Sequence, residues 1–444
     1  MSVAIFMEEH VRRVRDLRSL VAVLLVIGVT WQVMPTQASS LQKSHVNAGG
    51  QVRFAYFGGP DTKKLIDKIL PSFYKANKGV TVALEPFPDS RVKAVTEIAA
   101  GTGPDVFMLG DGDTLWYTDK GALANLMPFI KKDKFDLKGY IKGTLTIGQH
   151  KGGLYALPKD YSPLAVYYNK DMFKAAGVPT PSAHWTWTEF RRDALKLTNG
   201  GVYGAALPGD WPRAVDAVVR SLGGKLDNSN GTKVVGYMDS GATVKAVQFW
   251  LDLFLKDKVA PTPAQASSLG SGDLFASQKA AMNLTGIWPS LGATGYPKTL
   301  SFKWGVAPFP TGKDSKHVNT ICWAGFGMSK TAKNKNASWG LIKAMAGPVG
   351  DNVWGTVNGL PSLKVVAKKN NVYKNPVAGT FLREVRFAEF PSDINGPAAP
   401  QGVGDVFNEA LKLLLNTPNA GSTQQVLNIE AQKGQKALDA YYGR

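Results

Sequence analysis

The sequence predicts an α/β protein built as two lobes. Three observations carry that expectation. The chain has 444 residues, too many for one ordinary hydrophobic core. From residue 51 onward it alternates strand-like and helix-like segments in a βαβαβ order, which implies parallel neighbours with helices on the sheet faces. Further on, extended segments marked by Pro158 and Pro163, and by Pro308 and Pro310, sit where a chain would cross between lobes.

The N-terminus reads as an export signal. Arg12, Arg13, Arg15 and Arg18 form a basic stretch, residues 20–34 are mostly apolar, and small or polar residues from Pro35 to Ser39 suit cleavage near Ala38. Residues 1–38 are thus expected to be a signal peptide and 39–50 a linker. The alternative is an uncleaved anchor, although the apolar run falls short of the ~20 residues that span a bilayer comfortably. An exported location, in the periplasm or at the cell surface, follows.

Residues 51–57 alternate as a first strand, which Gly58-Gly59-Pro60 breaks. A helix over 61–77 places Leu65, Ile66, Ile69, Leu70 and Phe73 on one face, with Pro71 expected to kink it. Residues 80–84 form the second strand, 91–100 the second helix, and 105–109 the third strand. Residues 155–168 are extended and broken by prolines. Thr188-Glu189-Phe190 opens a helix, and 201–207 reads as a strand. Residues 300–310 and 318–329 form a second extended pair, and 426–442 a closing amphipathic helix.

Composition narrows the function. Lys and Arg number 52 against 34 Asp and Glu, a formal charge of +18, which favours anionic neighbours. The lysines are scattered and no nucleic-acid motif occurs, so the expectation is a solvated basic surface with no nucleic-acid partner. The single cysteine, Cys322, lies in an apolar run and is expected to be a buried, inert thiol. No cysteine follows the signal to carry a lipid. The histidines of residues 39–444 are isolated, Gly-x-Ser-x-Gly is absent, and no dinucleotide or P-loop pattern is completed. No catalytic residue, metal or cofactor is therefore expected. Paired carboxylates for glycoside hydrolysis are a tertiary property that sequence leaves open.

Several segments resemble, in order, the family 1 extracellular solute-binding proteins, the group of maltose-binding protein. They are Gly103-Pro104-Asp105-Val106, Tyr155-Ala156-Leu157-Pro158, Tyr167-Tyr168-Asn169-Lys170-Asp171-Met172-Phe173, Trp185-Thr186-Trp187-Thr188-Glu189-Phe190, Lys279-Ala280-Ala281-Met282 with Gly286-Ile287-Trp288, and Val306-Ala307-Pro308-Phe309-Pro310. The resemblance thins after about Gly359. It implies a type II periplasmic-binding-protein fold of two discontinuous α/β lobes joined by a hinge. Lobe 1 is expected over 51–161 and 312–362, lobe 2 over 162–311 and 363–444. It also implies a monomeric receptor that takes a sugar or oligosaccharide to the transmembrane subunits of an ABC permease. Alternatives are an anionic polyol such as glycerol phosphate as ligand, or a secreted glycosidase.

Candidate ligand residues follow from position. Ligands of such sheets bind beyond the carboxyl ends of the strands, which here carry Phe57-Gly58 and Gly110-Asp111-Gly112-Asp113. Sugars present apolar faces and hydroxyl rims, so flat aromatics and carboxylates are sought. Trp211 after Asp210, Trp288, and Trp323 ahead of Gly325 lie beside breakers, where stacking on ligand and packing are both open. Trp250 and Trp339 lie on helical stretches and are expected to pack. Asp111 and Asp113 are read as turn residues or hydroxyl acceptors rather than metal ligands. The resemblance turns Asp160 and Tyr161 toward the cleft. Arg386 either contacts ligand or pairs with Glu389.

Overall fold

The computed structural model describes residues 50–86, 91–141, 143–270, 272–312, 314 and 316–444. The expected signal peptide and nearly all of the expected linker lie outside the described residues. The βαβαβ opening is present: β1 Gln51–Tyr56, α1 Gly59–Ala76, β2 Thr81–Pro86, α2 Arg91–Ala99 and β3 Val106–Gly110. β1 lies between β2 and β3 and runs parallel to both. Gly58, at φ +97°, caps α1 in the left-handed region that favours glycine. Pro71 is accommodated on the exposed side of α1, which runs unbroken with Leu65, Ile66, Ile69, Leu70 and Phe73 buried. Helices α3 Asp111–Asp119 and α4 Met127–Lys132 follow.

The extended stretch predicted over 155–168 divides in two. β4 Ala156–Pro163 belongs to the first sheet, and β5 Ala165–Asn169 to the second. Only Leu164 separates them, so the chain passes from sheet to sheet in one step. α5 Trp187–Leu197 starts one residue before the expected Thr188, because Thr186 and Glu189 form a reciprocal capping box. α6 Pro212–Ser221 and α7 Gly241–Leu255 come next, then β6 Met282–Thr285 and β7 Trp304–Ala307, which flank β5 antiparallel. The strand expected over 201–207 is not formed. Isolated bridges from Tyr203 to Ala280 and from Ala206 to Asn283 fix that stretch instead. The strand expected over 300–310 shrinks to β7.

β8 Asn319–Met328 returns to the first sheet, antiparallel to both β3 and β4, with an irregularity at Ala324 and Gly325 opposite Asp160 and Pro158. Helices α8 Lys335–Ala346, α9 Pro348–Trp354 and α10 Lys364–Lys369 follow. The short β9 Ala388–Glu389 pairs with β8, and α11 Val406–Asn416 and α12 Thr423–Tyr442 end the chain.

Two cores match the two sheets. In the first, Phe54, Ile66, Ile69 and Phe73 pack with Leu341, Ile342 and Met345 of α8. In the second, Val166, Phe190, Val218, Trp250 and Phe309 pack with Phe407, Leu411, Leu427 and Leu438. Leu363 and Val366, expected in lobe 2, pack in the first core. A third cluster joins the sheets: Phe107, Trp116, Tyr161 and Trp323 meet Tyr167, Phe275, Tyr296 and Phe381. Trp250 and Trp339 are buried as expected.

Candidate functional site

The site begins where β3 becomes α3. Gly110 caps α3, and the Asp113 carboxylate accepts the Gly110 N–H at 2.9 Å. That bond fixes Asp113 as a capping residue. Asp111, two residues earlier, has a different setting. It is the first helical residue, where the helix dipole favours a carboxylate, and it is only 3% exposed. One of its oxygens accepts from Arg213 Nη1, and the other is buried with no hydrogen-bond partner.

Arg213 stands in the first turn of α6, behind Pro212, whose missing N–H and fixed φ suit a helix start. Its Nε and Nη2 donate to Asp393 Oδ2 at 3.1 and 2.9 Å. One guanidinium thus ties the first-sheet helix α3 to α6 and to the segment between β9 and α11. Sequence reasoning missed Arg213 and Asp393. The Trp-Pro-Arg order was the available signal for the first. The breakers Pro391 and Gly396 around the second were another.

Trp211 precedes Pro212 and Arg213, so the same helix start places it. Its ring lies 6.1 Å from that of Trp288 at 59°, and both are half-buried. Trp288 follows β6, and Gly286 is required there: a Cβ on it would fall 2.0 Å from the Trp288 ring. Asp210 is half-buried beside Trp211. The start of α6 therefore links two contacts: Trp211 meets Trp288, and Arg213, two residues on, reaches Asp111.

The strands β4 and β8 carry the next group. Asp160 is buried and pairs with its neighbour Lys159, whose ammonium lies 4.9 Å from the centre of the Trp354 ring. Gly359 presses close: a Cβ there would meet Asp160 Cβ at 2.9 Å. Cys322 is half-buried rather than fully buried. Desolvation pushes its thiol up to about 12, and the field of Arg213 opposes that while those of Asp160 and Asp393 add to it.

Other candidates have structural duties. Trp323 is 4% exposed and its Nε1 donates to Thr144 O at 2.9 Å. Gly325 makes room for it, since a Cβ would lie 2.2 Å from the indole. Both belong to packing in this structure. Tyr161 is buried, its hydroxyl has no hydrogen-bond partner, and burial pushes its pKa upward. Phe57 is exposed at the carboxyl end of β1 beside the cap Gly58. Arg386 is exposed over the Phe387 ring at 5.0 Å. Its expected partner Glu389 is held instead by Arg220 at 2.9 Å, because α6 directs its second arginine toward β9. Among the described residues, no group of three or more His, Cys, Asp or Glu is placed to hold a metal ion. No described helix is long and apolar enough to cross a membrane.

The profile of the bacterial extracellular solute-binding proteins matches residues 59–351. A Brucella abortus binding protein is 27% identical over 294 residues, 63% of this chain and 68% of that one. The galactooligosaccharide-binding protein of Bacillus subtilis is 23% identical over 303 residues, 65% of this chain and 68% of its own. Two solved structures share the fold. The Listeria monocytogenes ABC substrate-binding protein in complex with cycloalternan gives a TM-score of 0.75 at 24% identity, covering 89% of this chain and 99% of that one. Mycobacterium tuberculosis UgpB in complex with glycerophosphocholine gives 0.74 at 18%, covering 88% and 99%. The fold is that of a type II periplasmic binding protein, with two α/β lobes.

Proposed function

The chain belongs to the bacterial extracellular solute-binding proteins, and from that premise we propose that it is the sugar-binding receptor of an ABC importer. It takes a neutral sugar or oligosaccharide between its lobes and presents it to the permease. The observation that carries the reading is the cluster at the start of α6. Two half-buried tryptophans lie 6.1 Å apart, and the helix start that places one of them also carries the guanidinium shared by two aspartates. Indole faces suit the C–H faces of a pyranose, and carboxylates accept from its hydroxyls. The buried, unpartnered oxygen of Asp111 is an acceptor awaiting a donor.

Charge favours a neutral ligand over glycerol phosphate. In these ion pairs Asp111, Asp160 and Asp393 outnumber Arg213 and Lys159, and both cations are already paired. A phosphate would have to break those pairs. The lobes divide at the passage from β4 to β5 and again between β7 and β8, and closure there would enclose the ligand. The receptor holds its ligand without cleaving it.

Calorimetric titration with a panel of neutral oligosaccharides and with glycerol phosphate tests this. Saturable binding of at least one saccharide is expected, with the saccharide recovered intact. Binding of glycerol phosphate alone, or cleavage of the saccharide, would overturn the proposal.

A further inference from the structure

The structure assigns a membrane-docking face to the flank of the first sheet that α4, α8 and α10 share. This inference is independent of the ligand reading. Segments 131–138, 335–343 and 364–374 carry ten lysines and two aspartates, with no arginine or glutamate. They are far apart in sequence and adjacent in space. Lys364 N–H donates to Gly139 O at 2.9 Å, and Lys364 Nζ to Lys138 O at 2.8 Å. Trp339 of α8 donates to Asp133 at 2.9 Å and packs edge-on against Phe135 at 5.4 Å. Segment 131–138 therefore touches both others, and the three make one continuous basic surface.

The two aspartates do not neutralise it. Asp133 is engaged by Lys343 and Trp339, and Asp136 accepts the Lys138 backbone N–H at 2.8 Å. A chain carrying +18 in total thus concentrates a net +8 in these three short segments, by the same residue count. Such a face attracts an anionic partner through its field.

A second observation selects the partner. The most exposed large apolar side chains among the described residues are Val365 at 62% and Tyr373 at 57%. Both stand among these lysines, beside Lys364 and Lys374 respectively. A soluble polyanion gains nothing from an exposed valine or tyrosine. The interface of a bilayer does, because apolar side chains enter the headgroup region while lysines meet anionic lipid, and tyrosine favours that depth. Charge and apolar exposure coincide on one face, so we infer that this face rests on anionic lipid. That would keep the receptor near its permease by reversible contact.

The test is co-sedimentation of the full chain with phosphatidylcholine vesicles, with and without about one-third phosphatidylglycerol. The reading is the vesicle-bound fraction that high salt releases, which separates surface docking from any insertion of the apolar N-terminus. The expected result is a salt-releasable fraction on phosphatidylglycerol vesicles only. Lys364→Glu with Lys368→Glu and Lys369→Glu should reduce affinity roughly tenfold or more. Val365→Ser with Tyr373→Ser should reduce it several-fold, with an unchanged melting temperature in both variants. No salt-releasable fraction, or an equal one in the lysine variant, would overturn the proposal. So would equally tight binding to soluble polyphosphate that ignores Val365→Ser with Tyr373→Ser, which would assign the face to a polyanion instead.

Discussion

Trp323 and the pair Trp211–Trp288 look alike in sequence and differ in the folded chain. All three stand beside glycine, proline or both. Trp323 lies within β8, an interior strand bonded on both sides to β3 and β4. Its ring is sealed and its N–H is spent on Thr144 O. Trp211 and Trp288 stand where a helix begins and where a strand has just ended, half-buried and facing each other. A breaker thus marks a loop aromatic only when it ends an element. Gly325, inside a strand, is there to admit an indole.

The largest effect should come from the sealed tryptophan. Trp323→Ala is expected to cost about 3–5 kcal/mol of stability, as for large-to-small changes in a core, while molecules that remain folded bind normally. A melting temperature close to that of the unchanged protein would return Trp323 to the list of ligand residues. Next comes Arg213. Arg213→Met leaves Asp111 buried without its partner and should cost about 2–3 kcal/mol. That is below the usual range for a broken buried pair, because Arg213 keeps some solvent contact. Asp111→Asn in the same chain should recover much of the loss, and denaturant titrations of the single and double variants measure the coupling. Strict additivity would mean that the pair is idle.

The half-buried pair should show the opposite balance. Trp211→Ala or Trp288→Ala should cost about 2 kcal/mol or more of ligand binding, roughly thirtyfold in affinity, for about 1 kcal/mol or less of stability. If both variants bind normally, the contrast with Trp323 is empty. The smallest effect is one of pH and lies away from the tryptophans. Burial pushes Asp227 up to about 7 against an ordinary value of 3.8, and Asp351 behaves likewise. The folded chain keeps these protons when the unfolded chain has lost them. Stability should therefore fall as pH rises from about 4 to about 7 and then level off. Asp227→Asn should remove part of that slope, on the order of 1–2 kcal/mol. An unchanged slope would show that Asp227 does not titrate in this window.

Much of the fold was legible because its signals are local. The apolar face of α1, the breakers after β1 and the closing helix α12 each rest on a few adjacent residues. The stretch at 201–207 misled because its apolar residues pair only through isolated bridges, which depend on Ala280 and Asn283 far along the chain. The candidate site was half legible. Asp111, Trp211 and Trp288 announce themselves by position. Arg213 matters only because α3 and the segment around Asp393 reach it, and no spacing encodes that. Asp111 and Asp113 were indistinguishable until the helix start assigned one to capping and left the other to pair with Arg213. The lysines were read as scattered, and they are so along the chain. Their convergence on one flank is a product of chain crossing.

That crossing also constrains how the molecule is made. The second core opens with residues after β4 and is completed by Leu427, Ala431 and Leu438 of the last helix. Until α12 has left the ribosome, the surface against which it packs has nothing to cover it. Completion of the second core therefore waits for α12, and contacts over such separations form slowly. A chain truncated before Thr423 should accordingly remain open to protease across α7 and α11, while the first core, which draws nothing from α12, resists.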